Sequence, residues 1–450
     1  MTATLFCLHA LGASSEEFAL LRTRLADTVR LIGVDLPGFG TSPASAGTTV
    51  EEMAVQVERA IGTSGATEWG LIGHSMGGKV ATVVADRTMA GTNGLFGLRA
   101  VVLLAASPLA PEPMDDARRE RMLGWAEPDG ISPTHAAEFV DANTARLLPP
   151  ERHSMAVHDV ERTDTAAWTA WLLRGSREDW SGSAPTNPVP ALVLAGAEDG
   201  DLGEAAQRAL TLPHWSAADF DVVPGAAHLL PWERPDEVAA RIRTFWTDRV
   251  AHGPVVPTET ARVIASPRVS ARTRSALAHR SLPDDPDAVP EALDAVQLAT
   301  LRGIADVVVP QPGSRPVDLA LRVDRQLAQG TGDGWRPDGL PVDVEAYRAA
   351  LDALQPVAAA GTDALTPVLD RVAAGRADLP GALDAEQLRR WYEDASVDLV
   401  KQWLAHPATM AAIDYDGFAN GGDGVRKQGF QLLGAGQREP WEPRGATTCD

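Results

Sequence analysis

Six short apolar runs, separated by segments of helical spacing, constrain the first 250 residues of this chain more than any other feature. The runs are Thr4–His9, Val29–Asp35, Trp69–His74, Arg99–Ala106, Ala191–Gly196 and Asp219–Val223. Several are near-continuous in Val, Ile, Leu and Ala, the pattern of strands buried on both faces of a parallel sheet. Between them, Ser14-Ser15-Glu16-Glu17 and Thr49-Val50-Glu51-Glu52 fit the capping box, in which hydroxyl and carboxylate satisfy the free N–H groups of a helix start. A last helix opens with Pro235-Asp236-Glu237 and runs to about Asp248. Such alternation predicts an open α/β sheet covered on both faces.

The alternation lapses between residues 107 and 190. This stretch holds Trp125, Trp168, Trp171 and Trp180 with helical spacing, and it predicts a helical cap inserted above the sheet. Its tryptophans either fasten the cap to the core or line a substrate pocket. Residues 251–290, rich in Pro, Ser, Ala and Arg, read as a linker with one short helix at Arg272–His279. Beyond it the pattern is helical only. One face carries Leu298, Leu301, Ala305 and Val308, and another carries Leu319, Val323 and Leu327 between Pro316 and Gly330. Further helices are expected near Val344–Gln355, Pro367–Ala374 and Ala385–Ala405, the last with Leu388, Trp391, Ala395, Leu399 and Trp403 on or near one stripe. The expected organisation is an α/β domain over 1–250, a linker over 251–290 and a mostly α-helical domain over 291–450.

Composition narrows the function. The net charge of −21, from 40 basic and 61 acidic residues, is spread over both halves, and only three residues are Lys (Lys79, Lys401, Lys427). A grip on phosphate backbone needs a basic face, so nucleic acid and anionic membrane are not expected partners. Cys7 and Cys449 are too few for a disulfide framework or a four-ligand zinc site. Cys7 lies in an apolar run and reads as a small buried side chain. The start MTATLFCLHALG lacks a basic n-region, and no apolar run reaches the ~20 residues of a membrane span, so a cytoplasmic location is expected.

The chemistry is concentrated in Gly73-His74-Ser75-Met76-Gly77-Gly78, a G-x-S-x-G motif between a strand and a helix. A sharp turn there exposes Ser75 above the sheet, and glycines two residues to either side remove side chains that would collide. The Met76 N–H then faces a developing oxyanion. Serine needs a base, and the order nucleophile, acid, base places Asp199 after the fifth run and His228 after the sixth. His228 would take the Ser75 proton, and Asp199 would fix the imidazole tautomer. His74 adjoins the nucleophile and reads as structural. No metal or cofactor is called for.

With these motifs, residues 1–250 resemble the α/β-hydrolase superfamily in its esterase- or lactonase-like branch. The family's His-Gly after its first strand is here His9-Ala10-Leu11-Gly12, and Asp35-Leu36-Pro37-Gly38-Phe39-Gly40-Thr41-Ser42 is similar to its turn after the second. The resemblance implies that Leu11 N–H is the second oxyanion donor and that the insertion is the cap. It further implies hydrolysis of a small carboxylic ester or lactone through an acyl-enzyme, with carbon–carbon bond hydrolysis as a runner-up.

The second half resembles the gluconate 2-dehydrogenase subunit 3 family. The matching segments are Leu298–Pro310, Val317–Asp324, His406-Pro407, Tyr415–Ala419 and Glu439–Pro443. That resemblance implies a fusion whose helical module docks on a flavin-dependent sugar or alcohol dehydrogenase. In the alternative reading the whole chain is an accessory subunit of such an enzyme and the hydrolase is secondary.

Overall fold

The computed structural model describes residues 3–182, 185–311, 313, 315–331, 339–424, 432 and 434–439. Cys449 and residues 440–443 of the last resemblance segment lie outside them. The chain divides into two compact units: Met1–Ala251 with Val256–Leu282 and Gly417–Asp450, and His252–Val255 with Pro283–Asp416.

All six apolar runs form strands: β1 Thr4–Leu8, β2 Arg30–Val34, β3 Trp69–His74, β4 Leu98–Leu104, β5 Ala191–Gly196 and β6 Ala218–Val223. They make one sheet in the order β2-β1-β3-β4-β5-β6, parallel throughout. Every residue of β1, β3, β4 and β5 is buried, whereas the edge strands β2 and β6 are partly open. The continuous apolar runs are therefore the inner strands, as burial on both faces requires. Helix Met76–Met89, buried along most of its length, and helix Val50–Ser64 pack together beside the sheet. The sequence order reverses between β1 and β3, and ligands of open α/β sheets bind beyond the strand ends at such a switch.

The second of the two capping boxes forms, with Thr49 and Glu52 satisfying each other's backbone N–H groups. The first does not. Ser14 caps a short 3-10 turn at Glu16 N, while Glu17 turns inward and is fully buried. The turn Asp35–Ser42 is held by the Asp35 carboxylate, which accepts N–H groups of Ser15 and Thr41 and the Thr41 hydroxyl, each at 2.8 Å. Burial would raise the Asp35 carboxyl, but these bonds outweigh it and pull it down to about 2.

Among the described residues between β4 and β5, the insertion folds as four α-helices, Asp116–Leu123, Pro133–Ala142, Pro150–Glu161 and Thr165–Leu173. Trp168 donates its indole N–H to Met122 O at 2.9 Å inside the cap, and Trp125 stacks on His135.

The segment read as linker is folded over 256–282 and belongs to the first unit. It forms helices Thr258–Ile264 and Ala271–Arg280. Val256, Ile264, Val269 and Leu277 are buried, and buried arginines add polar anchors. The buried Arg274 guanidinium donates to four carbonyls, those of Gly91 (2.7 Å), Val269 (2.8 Å), Ile264 and Ser266 (3.0 Å each). Buried Arg99 on β4 reaches the Ser281 and Val250 carbonyls. The turn at Asn420–Gly424 also rests here: Gly421 N donates to Arg268 O, and Asp423 accepts Ala271 N–H.

The second unit is helical. Helices Ala295–Val308, Leu319–Gln329, Asp343–Ala358, Thr362–Ala373 and Ala385–Ala405 bury one core. Leu298, Leu301, Leu319, Val323, Leu327, Leu388, Trp391, Ala395 and Leu399 all join it, and Val308 and Trp403 pack at its margin. Its connection over residues 291–293 is fixed by the buried Asp324 carboxylate, which accepts three backbone N–H groups at 2.7–3.0 Å. Among the described residues no helix is long and apolar enough to cross a membrane.

Two predictions test these anchors. Arg274→Ala leaves four carbonyls short of a donor and lowers unfolding stability by about 3 kcal/mol, read from urea denaturation; a change under about 0.5 kcal/mol contradicts the anchoring. Asp35→Asn costs about 1–2 kcal/mol at neutral pH, given partial solvent screening. Because the folded carboxyl sits below the unfolded value of about 3.9, that contribution is whole above it and disappears as pH falls through about 2. Wild-type and variant stabilities therefore converge in acid, and a constant offset down to pH 2 contradicts the assignment.

Candidate active site

The turn from β3 into helix Met76–Met89 holds Ser75 at φ 48°, ψ −117°. A positive φ on a side-chain-bearing residue costs about 1–3 kcal/mol and survives only when its surroundings fix it. Here they do. Ser75 N donates to Leu104 O at 3.0 Å, and Ser75 O accepts from Gly78 N at 2.7 Å and Ser107 N at 2.9 Å. The flanking glycines are required by contact. A Cβ on Gly77 would lie 2.2 Å from Leu8 O, and one on Gly73 would lie 2.6 Å from Gly77 O. The elbow residues Gly73, His74 and Gly77 thus let β1, β3 and the helix start approach closely.

Ser75, His228 and Asp199 stand in one hydrogen-bonded series. His228 Nε2 lies 2.8 Å from Ser75 Oγ, and His228 Nδ1 lies 2.8 Å from Asp199 Oδ2. With Nδ1–H donated to the carboxylate, Nε2 is free to accept the serine proton. Asp199 is largely buried, which by itself would raise its carboxyl. The charge of His228 and hydrogen bonds from His228 and Leu202 outweigh that and hold it below the ordinary range. The loop carrying His228 is clamped: His228 N and Leu229 N donate to Asn143 O, and Ala227 N donates to Glu233.

Met76 is the first residue of its helix, and Leu11 follows β1. Among the described residues neither N–H has a protein acceptor. Two unpaired donors at a helix start and a neighbouring loop suit a developing oxyanion. Ala10, in place of the family's glycine, has no positive φ, so its methyl is accommodated without strain.

Ser75, His228, Asp199 and Leu11 line one cavity of about 50 Å³ together with Met122, Phe139, Trp171 and Leu229. Of the four cap tryptophans, Trp171 alone is in its lining. Trp180 instead faces a separate cavity of about 340 Å³ with Val83, Met89 and His279.

The sequence pattern missed several residues here. Glu112 lines the cavity; its N–H is held by Ser176 O and its carboxyl accepts the Ser107 hydroxyl. Burial raises that carboxyl, against the pull of Ser107, Lys79 and His228. Arg118 bridges Asp201 (2.7 Å) and Asn143 (2.8 Å) at the rim. Lys79 is buried, donates to Gly175 O and Glu178 O, and lies 5.9 Å from the Trp171 ring centroid. Its desolvation lowers the ammonium to about 8. Apart from Ser107–Glu112, these contacts join residues far apart in sequence, and no local spacing signals them. Groups of three or more metal-ligating side chains are absent among the described residues.

Comparison with known proteins agrees with the fold. A family model described as the alpha/beta hydrolase family matches residues 5–241. Over 252 residues, 54% of this chain and 92% of the relative, the chain is 25% identical to the 2-succinyl-6-hydroxy-2,4-cyclohexadiene-1-carboxylate synthase of Serratia proteamaculans. It is 40% identical over 105 residues to the pimeloyl-[acyl-carrier protein] methyl ester esterase of Sodalis glossinidius, spanning 23% of this chain and 37% of that enzyme. A bromoperoxidase structure from Bacillus anthracis superposes with a TM-score of 0.50 at 17% identity, covering 55% of this chain and 93% of that one, which is a likeness of fold. Through residues 5–241, the chain belongs to the alpha/beta hydrolase family.

Proposed function

We propose that this protein is a serine hydrolase that cleaves a small carboxylic ester or lactone through an acyl-enzyme. The observation that carries the reading is the unbroken series Ser75–His228–Asp199, at 2.8 Å for each link, opening into a small cavity. Ser75 Oγ attacks the carbonyl carbon while its proton passes to His228 Nε2. The negative oxygen is met by Met76 N–H and Leu11 N–H. His228 then protonates the leaving alkoxide, and a water activated by the same nitrogen releases the acid. Asp199 stays ionised throughout and stabilises the imidazolium. A methyl ester esterase among the relatives supports the ester reading, although the match spans only part of that enzyme.

The cavity bounds the acyl group. About 50 Å³ holds roughly four waters at the 10–15 Å³ that each requires. Acyl groups of two to four carbons fit that space with the cap as it stands.

For the helical second unit, we propose the docking role implied by its resemblance, toward a flavin-dependent dehydrogenase. The supporting observation is an apolar stripe on helix Ala385–Ala405, where Val397, Val400 and Leu404 are 57%, 36% and 39% exposed. Pull-down with the full chain tests this: recovery of a flavoprotein supports it, and its absence from the host's captured proteins counts against it.

Ser75→Ala and His228→Ala should each lower kcat on p-nitrophenyl acetate by at least about 10⁴-fold, with the fold intact by circular dichroism. Retention of a tenth of the activity in the serine variant rules out the nucleophile. Among p-nitrophenyl esters, kcat/KM for acetyl through butyryl should exceed that for octanoyl by about tenfold or more; a rise with chain length contradicts the small acyl site.

A further inference from the structure

Two buried titratable residues behind the proposed centre take no part in the steps above. Glu17 and His74 are both fully buried. His74 Nε2 lies 2.8 Å from the main-chain carbonyl oxygen of His228, and His74 Nδ1 lies 3.1 and 3.2 Å from the two Glu17 oxygens. Glu17 Oε1 also accepts the Ala10 N–H at 3.3 Å. A carbonyl only accepts, so His74 Nε2 must carry a hydrogen. Nδ1 faces a carboxyl, and one proton lies between the two whichever partner holds it. Burial opposes charge on His74, but the Glu17 carboxylate, its hydrogen bond and the His228 carbonyl win and raise the imidazole above its usual value. Without Glu17 the ring is free to take the other tautomer, which turns a lone pair onto the His228 carbonyl.

We propose that Glu17 and His74 form a positioning unit for the hydrolase reaction, fixing His228 through its main-chain carbonyl and the oxyanion loop through the Ala10 N–H. This rests on the reading of Ser75 and His228 given above. One buried pair thereby sets the spacing between the base that moves the proton and the loop that offers Leu11 N–H. Neither residue lines the cavity. Both ends of the unit act on groups used in the transition state, so its loss appears in kcat rather than in KM.

The test uses the full chain with Glu17→Leu, His74→Gln and the double variant, on p-nitrophenyl acetate. Misplacement of a reacting group by about 1 Å costs on the order of 10²-fold. Each single variant should lose about 10- to 100-fold in kcat, with KM within about threefold of wild type. The double should fall no further than the worse single, because the pair acts as one unit. Inactivation of each variant by a fluorophosphonate should slow by the same factor. Wild-type kcat in either single variant, a loss carried by KM alone, or additive losses in the double would overturn the proposal. Failure of both singles to fold assigns the pair to the scaffold and overturns it as well. If the fluorophosphonate leaves wild-type Ser75 unlabelled, the reading of the nucleophile fails instead.

Discussion

The backbone of Ser75 is the constraint on which the first unit turns. Its positive φ costs about 1–3 kcal/mol, and three main-chain hydrogen bonds, to Leu104, Gly78 and Ser107, hold it there. That geometry demands small neighbours. Gly73 and Gly77 are the positions where a Cβ would strike backbone, and their absence of side chains brings the end of β1 against the helix start. The strained turn therefore fixes three things together: a hydroxyl facing the cavity, a free Met76 N–H and the proximity of the Leu11 loop. The β1/β3 reversal of strand order places them beyond the strand ends, where His228 and Asp199 arrive from β6 and β5.

The inner strands could be read directly from the chain because burial on both faces forces continuous apolar runs. The helical unit was readable for a similar reason: its core residues recur at helical spacing, and each predicted face is the one that packs. Asp199 and His228 were picked by their order after strands, and they stand within hydrogen-bond reach of each other and of Ser75. What escaped reading is held together by polar contacts across long sequence separations. Residues 256–282 are rich in Pro, Ser and Arg and pass for a linker, yet Arg274 and Arg99 fasten them through main-chain carbonyls. Glu17 fits a capping box by spacing, and only the packed structure shows it turned onto His74. The cavity rim from Asn143, Arg118 and Glu112 depends on how the cap folds back, which no local pattern encodes.

The cap links fold to selectivity. It is tied to the rest of the first unit at several points, among them the Lys79 ammonium on the Gly175 and Glu178 carbonyls and the Asn143 carbonyl on the His228 loop. Met122, Phe139 and Trp171 of the cap line the cavity beside Ser75. In the proposed reading, selection of the acyl group and support of His228 draw on one set of contacts.

Intact-protein mass spectrometry after rapid acid quench tests the central claim most directly. With a p-nitrophenyl ester in excess, the account predicts a covalent acyl adduct that forms with the first burst of nitrophenolate. Peptide mapping should place it on Ser75. Turnover with no adduct, or an adduct on any other residue, would contradict the assignment of Ser75 as the nucleophile.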